Sequence, residues 1–135
     1  MFVVDASVWV ARFVLADAHH RTSLAWLSAQ IDADESLIMP SAALPEVAGA
    51  IARRTGFDGD ALNAIEAIRR LPNTTLVDID TPLAERASKI ATHQRLRGAD
   101  ALYVVVAYEI GVPLITWDRE QRLRGSAIVT TAEPS

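Results

Sequence analysis

Four acidic residues stand where the sequence offers no ordinary solvated position for them, and they are the best candidates for chemistry. Asp5 and Asp118 each follow a short apolar run, and Asp100 opens an almost wholly apolar segment. On a helix, Glu46 would have only alanine or glycine three and four residues away, so it must find a partner elsewhere in the fold. Carboxylates gathered in this way suit metal binding or acid–base catalysis.

If these four carboxylates lie together, their mutual repulsion would protonate some of them unless a cation lay among them. The oxygen-only ligand set, without cysteine and without histidines at ligand spacing, suits Mg²⁺ or Mn²⁺. We therefore expect one or two such ions at the site, about 3.5–4 Å apart if there are two. The expected ligands are Asp5, Glu46, Asp100 and Asp118.

Each acid also has a structural interpretation. Asp5 could accept backbone N–H groups at a first helical turn, and Asp100 could cap a helix. Asp118 could form an Asx-turn, and Glu46 could cap its own helix. Taken singly, Asp100 and Asp118 are better explained in this way, so the case for a site depends on all four acids meeting.

Two hydroxyl residues stand two positions from a candidate acid. Ser7 follows Asp5 and Thr116 precedes Asp118, so either hydroxyl could hold a water molecule or a phosphate oxygen beside the metal. Ser7 could equally be the N-cap of the first helix, and Thr116 could belong to one face of a strand.

The elements that must carry these residues alternate between strand and helix patterns. The strand patterns cover residues 2–4, 37–39, 75–79, 114–116 and 127–130. This alternation predicts an α/β protein, a three-layer α/β/α sandwich with a central, mostly parallel sheet. Strand ends and the helix starts that follow them share one edge of such a sheet, where we expect the four acids to meet. Residues 1–131 are expected to form one domain and residues 132–135 a frayed tail.

Residues 101–107 are apolar on every side and predict a buried central helix, because a surface helix would show a polar stripe. Gly111 and Pro113 would end this helix. The three consecutive valines within the run would also suit a strand.

Composition narrows the class of protein. The chain has 135 residues, 50% of them hydrophobic, which suffices for one well-buried core, and zero cysteines exclude disulfides and thiolate chemistry. Neither a membrane-spanning run nor a leader segment is visible, so we expect a cytoplasmic protein without a membrane partner.

The net charge of −4 argues against a protein that binds nucleic acid, because such proteins usually have a basic face. All 13 basic residues except Lys89 are arginines, which suit phosphate contacts, although a GC-rich codon bias would explain them equally well.

Four segments resemble the acidic signatures of PIN domains, in particular those of VapC-type toxins. They are Val3-Val4-Asp5-Ala6-Ser7, Pro40-Ser41 with Glu46-Val47 and Ala50, Gly98-Ala99-Asp100, and Leu114-Ile115-Thr116-Trp117-Asp118. The resemblance covers essentially the whole chain, in order and at the right spacing. Pro45 departs from the usual family pattern, and Trp117 occupies a variable position.

The resemblance implies a compact α/β/α fold and a Mg²⁺- or Mn²⁺-dependent endoribonuclease that cleaves RNA phosphodiester bonds to leave a 5′-phosphate and a 3′-hydroxyl. It also implies a homodimer inhibited by a cognate VapB-type antitoxin, so that the protein would be the toxin of a type II toxin–antitoxin pair.

The predicted helices within residues 7–31 and 41–71 carry more apolar surface, including Trp9, Phe13 and Trp26, than one small sheet needs to cover. We expect this surplus to form the homodimer contact and a groove for an antitoxin segment. Simple packing of these aromatics on the sheet is the competing interpretation.

Three other classes of protein share part of this sequence pattern. A response-regulator receiver needs a lysine after a late strand, but Lys89 lies inside a predicted helix. A haloacid-type phosphatase needs Asp-x-Asp after its first strand, whereas this chain has Asp5-Ala6-Ser7. A non-catalytic PIN-like module that binds protein or RNA has the same sequence pattern, and a metal-dependent cleavage assay with Glu46→Gln as control separates it from a nuclease.

Overall fold

The computed structural model describes all residues 1–135 and contains five strands and seven helices. In chain order these are β1 (Phe2–Val4), α1 (Ala6–Phe13), α2 (His20–Asp32), β2 (Leu37–Pro40), α3 (Ala43–Thr55), α4 (Asp58–Arg70), β3 (Thr74–Val77), α5 (Thr81–Gln94), α6 (Gly98–Ile110), β4 (Leu114–Ile115), α7 (Arg119–Gly125) and β5 (Thr131–Ala132). The predicted alternation of strands and helices is therefore present, with two helices between most successive strands.

The sheet has the strand order β3-β2-β1-β4-β5, and every neighbouring pair is parallel. β1 lies at the centre, where Val3 pairs with Ile38 on one side and with Leu114 on the other. Parallel strands need helical crossovers, and these cover both faces of the sheet. Helices α1 to α4 contact one another in one group, and α5 contacts α6 in another. The prediction of a three-layer α/β/α sandwich is confirmed.

Helix α6 is the buried central helix. It packs against β1, β2 and β4, and residues 103–107 are all buried. Gly111 follows it with φ 77°, a left-handed conformation that glycine adopts without strain, and its N–H bonds to the carbonyl of Ala107. The valines are helical because this helix is covered all round and needs no polar stripe. Neither α6 nor any other helix has the length and hydropathy needed to cross a bilayer.

The C-terminal strand differs from the prediction. Residues 126–129 form turns and a bend after α7, and the strand lies at Thr131–Ala132 rather than at residues 127–130. Ala132 pairs with Ile115, and its carbonyl accepts the N–H of Thr116 at 2.9 Å, so Ala132 is not part of a frayed tail. A two-residue strand has no periodicity of its own, and its pairing with β4 sets its conformation. The third strand likewise begins earlier than predicted and ends at Val77.

Trp9 and Trp26, which were expected on a docking surface, belong to the core with only 1% and 8% of their surface exposed. The Trp26 ring meets Phe2 edge to face, with 5.4 Å between the ring centroids. Phe13 is partly buried against the same core. The competing interpretation is therefore right for Trp9 and Trp26, which the helices turn inward. Phe57 and Leu62 of the same region are 68% and 67% exposed, so the dimer contact and the groove stay predictions.

Candidate active site

The four candidate acids line one cleft of about 620 Å³ at the carboxyl edge of the sheet. Each comes from a different element. Asp5 follows β1 and Asp118 follows β4, while Glu46 and Asp100 stand in the first turns of α3 and α6. The parallel topology brings them together because every strand of the sheet delivers its carboxyl end to the same edge.

Asp5 is the most buried of the four, with 6% of its surface exposed. One carboxylate oxygen caps α1 by accepting the Ser7 N–H at 2.9 Å, and the other accepts Nε2 of Gln121 at 3.2 Å. Burial raises the pKa of Asp5, and the hydrogen bonds from Ser7, Gln121 and Thr116 offset part of that rise. Asp5 therefore caps α1, as the structural interpretation expects, and it also lines the cleft.

Glu46 finds its partner on the opposite side of the cleft. The hydroxyl of Tyr103, from α6, donates a hydrogen bond of 3.2 Å to Oε1 of Glu46. Burial, then the charge of Asp5, raises the pKa of Glu46 to about 7, and the charge of Asp100 contributes in the same direction. Burial and the charges of Asp5 and Glu46 raise the pKa of Tyr103, which keeps this phenol protonated as a donor. Glu46 does not cap α3, whose N-cap is Ala42.

Asp100 and Asp118 share one arginine. Nε of Arg97 donates to Asp100 at 3.1 Å, and its Nη2 donates to Asp118 at 2.9 Å. Asp118 also caps α7 by accepting the N–H of Gln121 at 2.8 Å, whereas Asp100 is not a cap because α6 already begins at Gly98. Burial raises the pKa of Asp100, the Arg97 charge opposes this, and Asp5 and Asp118 add to the rise.

The two hydroxyl residues tie the ends of β4 and β1 together. Oγ of Ser7 accepts the N–H of Trp117 at 3.1 Å and lies 3.3 Å from Oγ1 of Thr116. Oγ1 of Thr116 in turn accepts the N–H of Asp118 at 3.0 Å. Ser7 lines the cleft but is not the N-cap of α1, because Asp5 takes that position. Thr116 is fully buried and does not line the cleft, so its hydroxyl orients the backbone of Asp118 rather than a ligand.

Three residues of the site were missed in the sequence: Arg97, Tyr103 and Gln121. Gln121 follows Asp118 at the spacing of a capping box, in which a glutamine reaches back to the cap residue. That spacing marks the start of α7, but the side chain instead reaches Asp5 and the carbonyl of Asp100, at 3.2 and 3.3 Å. Tyr103 is the one residue of the apolar run 101–107 with a polar group, and this was the available signal for it.

The donor set suits a hard cation, although the side chains do not form a ready-made cage. As they stand, no three His, Cys, Asp or Glu residues are close enough together to hold one ion between them. Neither Asp5 nor Glu46 takes part in any ion pair, so this half of the cleft is short of positive charge. Oxygen donors with such a deficit fit Mg²⁺ or Mn²⁺. Arg97, a largely exposed side chain, is the group that would have to move.

These features define a small α/β/α protein with an acidic cleft at the carboxyl edge of a parallel sheet. The PIN-domain family profile matches residues 2–125, so the chain belongs to the PIN-domain family. Comparison with curated protein sequences gives no match.

Solved structures of similar fold include toxins and toxin–antitoxin complexes. VapC20 of Mycobacterium tuberculosis, a toxin that cleaves the sarcin-ricin loop, is 22% identical with a TM-score of 0.80 over 93% of this chain and 95% of that chain. VapBC2 of Rickettsia felis, bound to a DNA fragment from its promoter, is 11% identical with a TM-score of 0.72 over 99% and 98%. A toxin–antitoxin complex from Klebsiella pneumoniae is 16% identical with a TM-score of 0.71 over 100% and 98%.

Proposed function

We propose that this protein is a Mg²⁺- or Mn²⁺-dependent endoribonuclease and the toxin of a type II toxin–antitoxin pair. The observation that carries the proposal is the meeting of four carboxylates, from four separate elements, in one cleft of a PIN domain. Asp5, which is buried, and Glu46, which is half-buried, also lack the basic partners that purely structural carboxylates usually have.

The four acids are the proposed metal ligands. When bound, a divalent ion acidifies a water molecule and offsets charge on the phosphodiester. Among the four, Glu46 is the proposed acceptor of the water proton, because it has no cationic partner and burial raises its pKa to about 7 in the metal-free protein. The water oxygen bonds to phosphorus as the bond to O3′ breaks. O3′ takes a proton from solvent and leaves as a 3′-hydroxyl, while the new oxygen stays on the 5′-phosphate.

The charge of the protein is compatible with an RNA substrate once an ion is bound. Removing the four site acids from the 17 Asp and Glu residues leaves 13, which equals the 13 Lys and Arg residues. Two divalent ions would therefore bring the formal net charge of −4 to zero. Arg53, Arg54 and Arg97 line the cleft and supply basic groups for phosphate.

The proposed protein partners are a VapB-type antitoxin and a second copy of this chain, and the proposed location is the cytoplasm. Two of the structural relatives are toxin–antitoxin assemblies, which supports the antitoxin. Co-expression of the chain with a VapB-type protein, followed by co-purification and loss of cleavage activity, would test this partner. Light scattering at micromolar concentration tests the dimer, and a monomer there would contradict it.

Cleavage of a labelled RNA tests the enzymatic part of the proposal. The purified protein should cleave in Mg²⁺ or Mn²⁺ and stop cleaving in excess EDTA, and Glu46→Gln should abolish cleavage. Glu85→Gln is the matched control, because this exposed glutamate of α5 lies outside the cleft. Products with 2′,3′-cyclic phosphate ends, or full activity in EDTA, would refute the mechanism. Binding of RNA without cleavage by the wild type would leave the non-catalytic module as the better description.

A further inference from the structure

Two aromatic rings stack on one another at the acidic cleft. The imidazole of His19 lies parallel to the indole of Trp117, with 3.8 Å between the ring centroids and 10° between the planes. Both residues line the same cleft as the four acids, and Trp117 directly precedes Asp118 in the chain. The proposed cleavage step uses the four acids and the metal ion, and it involves neither of these rings.

Hydrogen bonds fix the ring of Trp117 and the backbone of His19. Nε1 of Trp117 donates to Oγ of the fully buried Ser23 at 2.8 Å, and the Trp117 N–H donates to Oγ of Ser7. The backbone N–H of His19 donates to Oδ1 of Asp17 at 2.8 Å, and the imidazole itself is positioned by its stack on Trp117. Trp117 covers one face of the imidazole, while His19 itself is exposed, so the second face is open. The pair is an aromatic platform in which a hydrogen-bonded indole supports the imidazole.

Two arginines, Arg53 and Arg54, line the cleft beside this platform, and only Arg54 forms an ion pair. Arg54 donates to Oδ2 of Asp17 at 2.6 Å, which is the same carboxylate that holds the His19 backbone. Arg53 also lines the cleft, but it makes neither an ion pair nor a hydrogen bond through its side chain. One guanidinium is thus free to contact a phosphate next to an open aromatic face.

We propose that the open face of His19 receives a nucleobase of the RNA next to the scissile phosphate, with Arg53 contacting a neighbouring phosphate. Stacking of a base on an aromatic side chain needs no hydrogen-bonded reading of its edge, so the platform accepts several bases and favours those that stack best, the purines. This inference rests on the proposed RNA substrate. The proposed subsite binds one nucleotide through its base rather than through its sugar–phosphate backbone.

Fluorescence can report on the platform directly, because Trp9 and Trp26 are buried and Trp117 is the one half-buried tryptophan. A short single-stranded oligoribonucleotide is titrated into the protein with Ca²⁺ in place of Mn²⁺, and the matched probe has the same backbone with abasic residues. The normal RNA should quench the fluorescence and the abasic RNA should not. Equal quenching by both probes, or by neither, would overturn the inference.

Variants of His19 provide a second test of the proposed base stacking. His19→Ala should weaken oligoribonucleotide binding about tenfold and raise KM with little change in kcat, whereas His19→Tyr, which keeps a stacking face, should bind nearly as wild type. His93→Ala is the matched control, since His93 is exposed on α5 and does not line the cleft. Wild-type binding by His19→Ala would overturn the inference, and if that variant fails to fold, the abasic comparison on the wild type decides alone.

The two proposals fail separately. Base-dependent quenching without any cleavage would leave the platform in place and remove the nuclease. Cleavage that proceeds with the same KM in wild type and His19→Ala would retain the nuclease and remove the platform.

Discussion

The hydroxyl of Tyr103 donates a hydrogen bond of 3.2 Å to Glu46, and this bond joins α6 to α3 across the acidic cleft. Tyr103 is fully buried, so its position is set by the core rather than by the carboxylate. A hydrogen bond to the charged form of an acid favours that form, and this one lowers the pKa of Glu46 against the larger effect of burial.

Replacing Tyr103 by phenylalanine should therefore raise the pKa of Glu46 above its value of about 7. The acidic limb of the pH–activity profile should move to higher pH, and the rate at neutral pH should fall. The free energy of unfolding should change little, by about 1 kcal/mol, because one hydrogen bond is lost and the ring is kept. Tyr108→Phe, an exposed change near the end of the same helix, is the control. An unshifted profile for Tyr103→Phe would show that the bond does not act on Glu46 in the working enzyme.

The metal-free protein should lose stability as the pH rises through about 7. The pKa of Glu46 is raised from its ordinary 4.5 to about 7, so between these values the folded state holds a proton that the unfolded state does not. The stabilisation is complete below the lower value and is lost above the upper one. Melting temperatures in EDTA should fall between about pH 4.5 and 7, and Glu46→Gln should reduce the slope. Apparent Mn²⁺ affinity should rise over the same range, because the ion competes with the proton.

Asp5 and Asp118 should respond differently to neutralisation. Asp5 is buried without a basic partner, so Asp5→Asn should raise the melting temperature in EDTA by a few degrees through relief of charge burial and repulsion. Asp118 pairs with Arg97, so Asp118→Asn keeps a good cap for α7 and gains nothing from losing its charge. In millimolar Mn²⁺ only the wild type should gain stability from the ligand. A lower melting temperature for Asp5→Asn in EDTA would mark this acid as structural.

Arg97 should compete with the metal. Because its guanidinium bridges Asp100 and Asp118, Arg97→Gln should strengthen Mn²⁺ binding about two- to fivefold, the modest range expected for an exposed ion pair. Calorimetric titration with Mn²⁺ measures this without reference to activity. Arg119→Gln supplies the control, since Arg119 adjoins Asp118 but pairs with neither acid. Weaker Mn²⁺ binding by Arg97→Gln would mean that the arginine supports the metal site instead.

Gln121 should act by positioning Asp5. Gln121→Leu keeps a similar volume in a fully buried position but removes the donor to Asp5. We expect Mn²⁺ affinity to fall about 10- to 100-fold, as for other residues that orient a metal ligand. The melting temperature in EDTA should fall by a few degrees, because Nε2 of Gln121 also donates to the carbonyl of Asp100 and leucine removes both hydrogen bonds. Gln94→Leu, in α5 and away from the cleft, should bind Mn²⁺ as wild type does.

The architecture could be predicted from the sequence because its main evidence is local. The apolar runs before Asp5 and Asp118 are strands in the protein, and the all-round apolar run 101–107 is the buried helix. β5 was placed too early because two residues carry no pattern, and only the pairing of Ala132 with Ile115 fixes them. The number of aromatic residues on α1 and α2 indicated spare surface, but it could not say that Trp9 and Trp26 face inward.

The sequence predicted only part of the candidate site, because only local patterns can be recognised in it. Its acids stand out one by one, since each breaks a local pattern. Their partners do not: Tyr103 is 57 positions from Glu46, and Arg97 is 21 positions from Asp118. Such contacts depend on the finished fold, so spacing along the chain gives no indication of them. The metal-binding and catalytic roles of Asp5, Glu46, Asp100 and Asp118 stay predictions until the cation titrations and cleavage assays are made.

The bond from Gln121 to Asp5 spans 116 positions, and β4, which carries Asp118 at its end, is held between β1 and the C-terminal β5. Neither half of the chain contains a working cleft. During translation, a ribosome releases the segments with Asp5 and Glu46 long before those with Asp118 and Ala132. A growing polypeptide therefore has no assembled acidic cleft until β4 and β5 have emerged and paired.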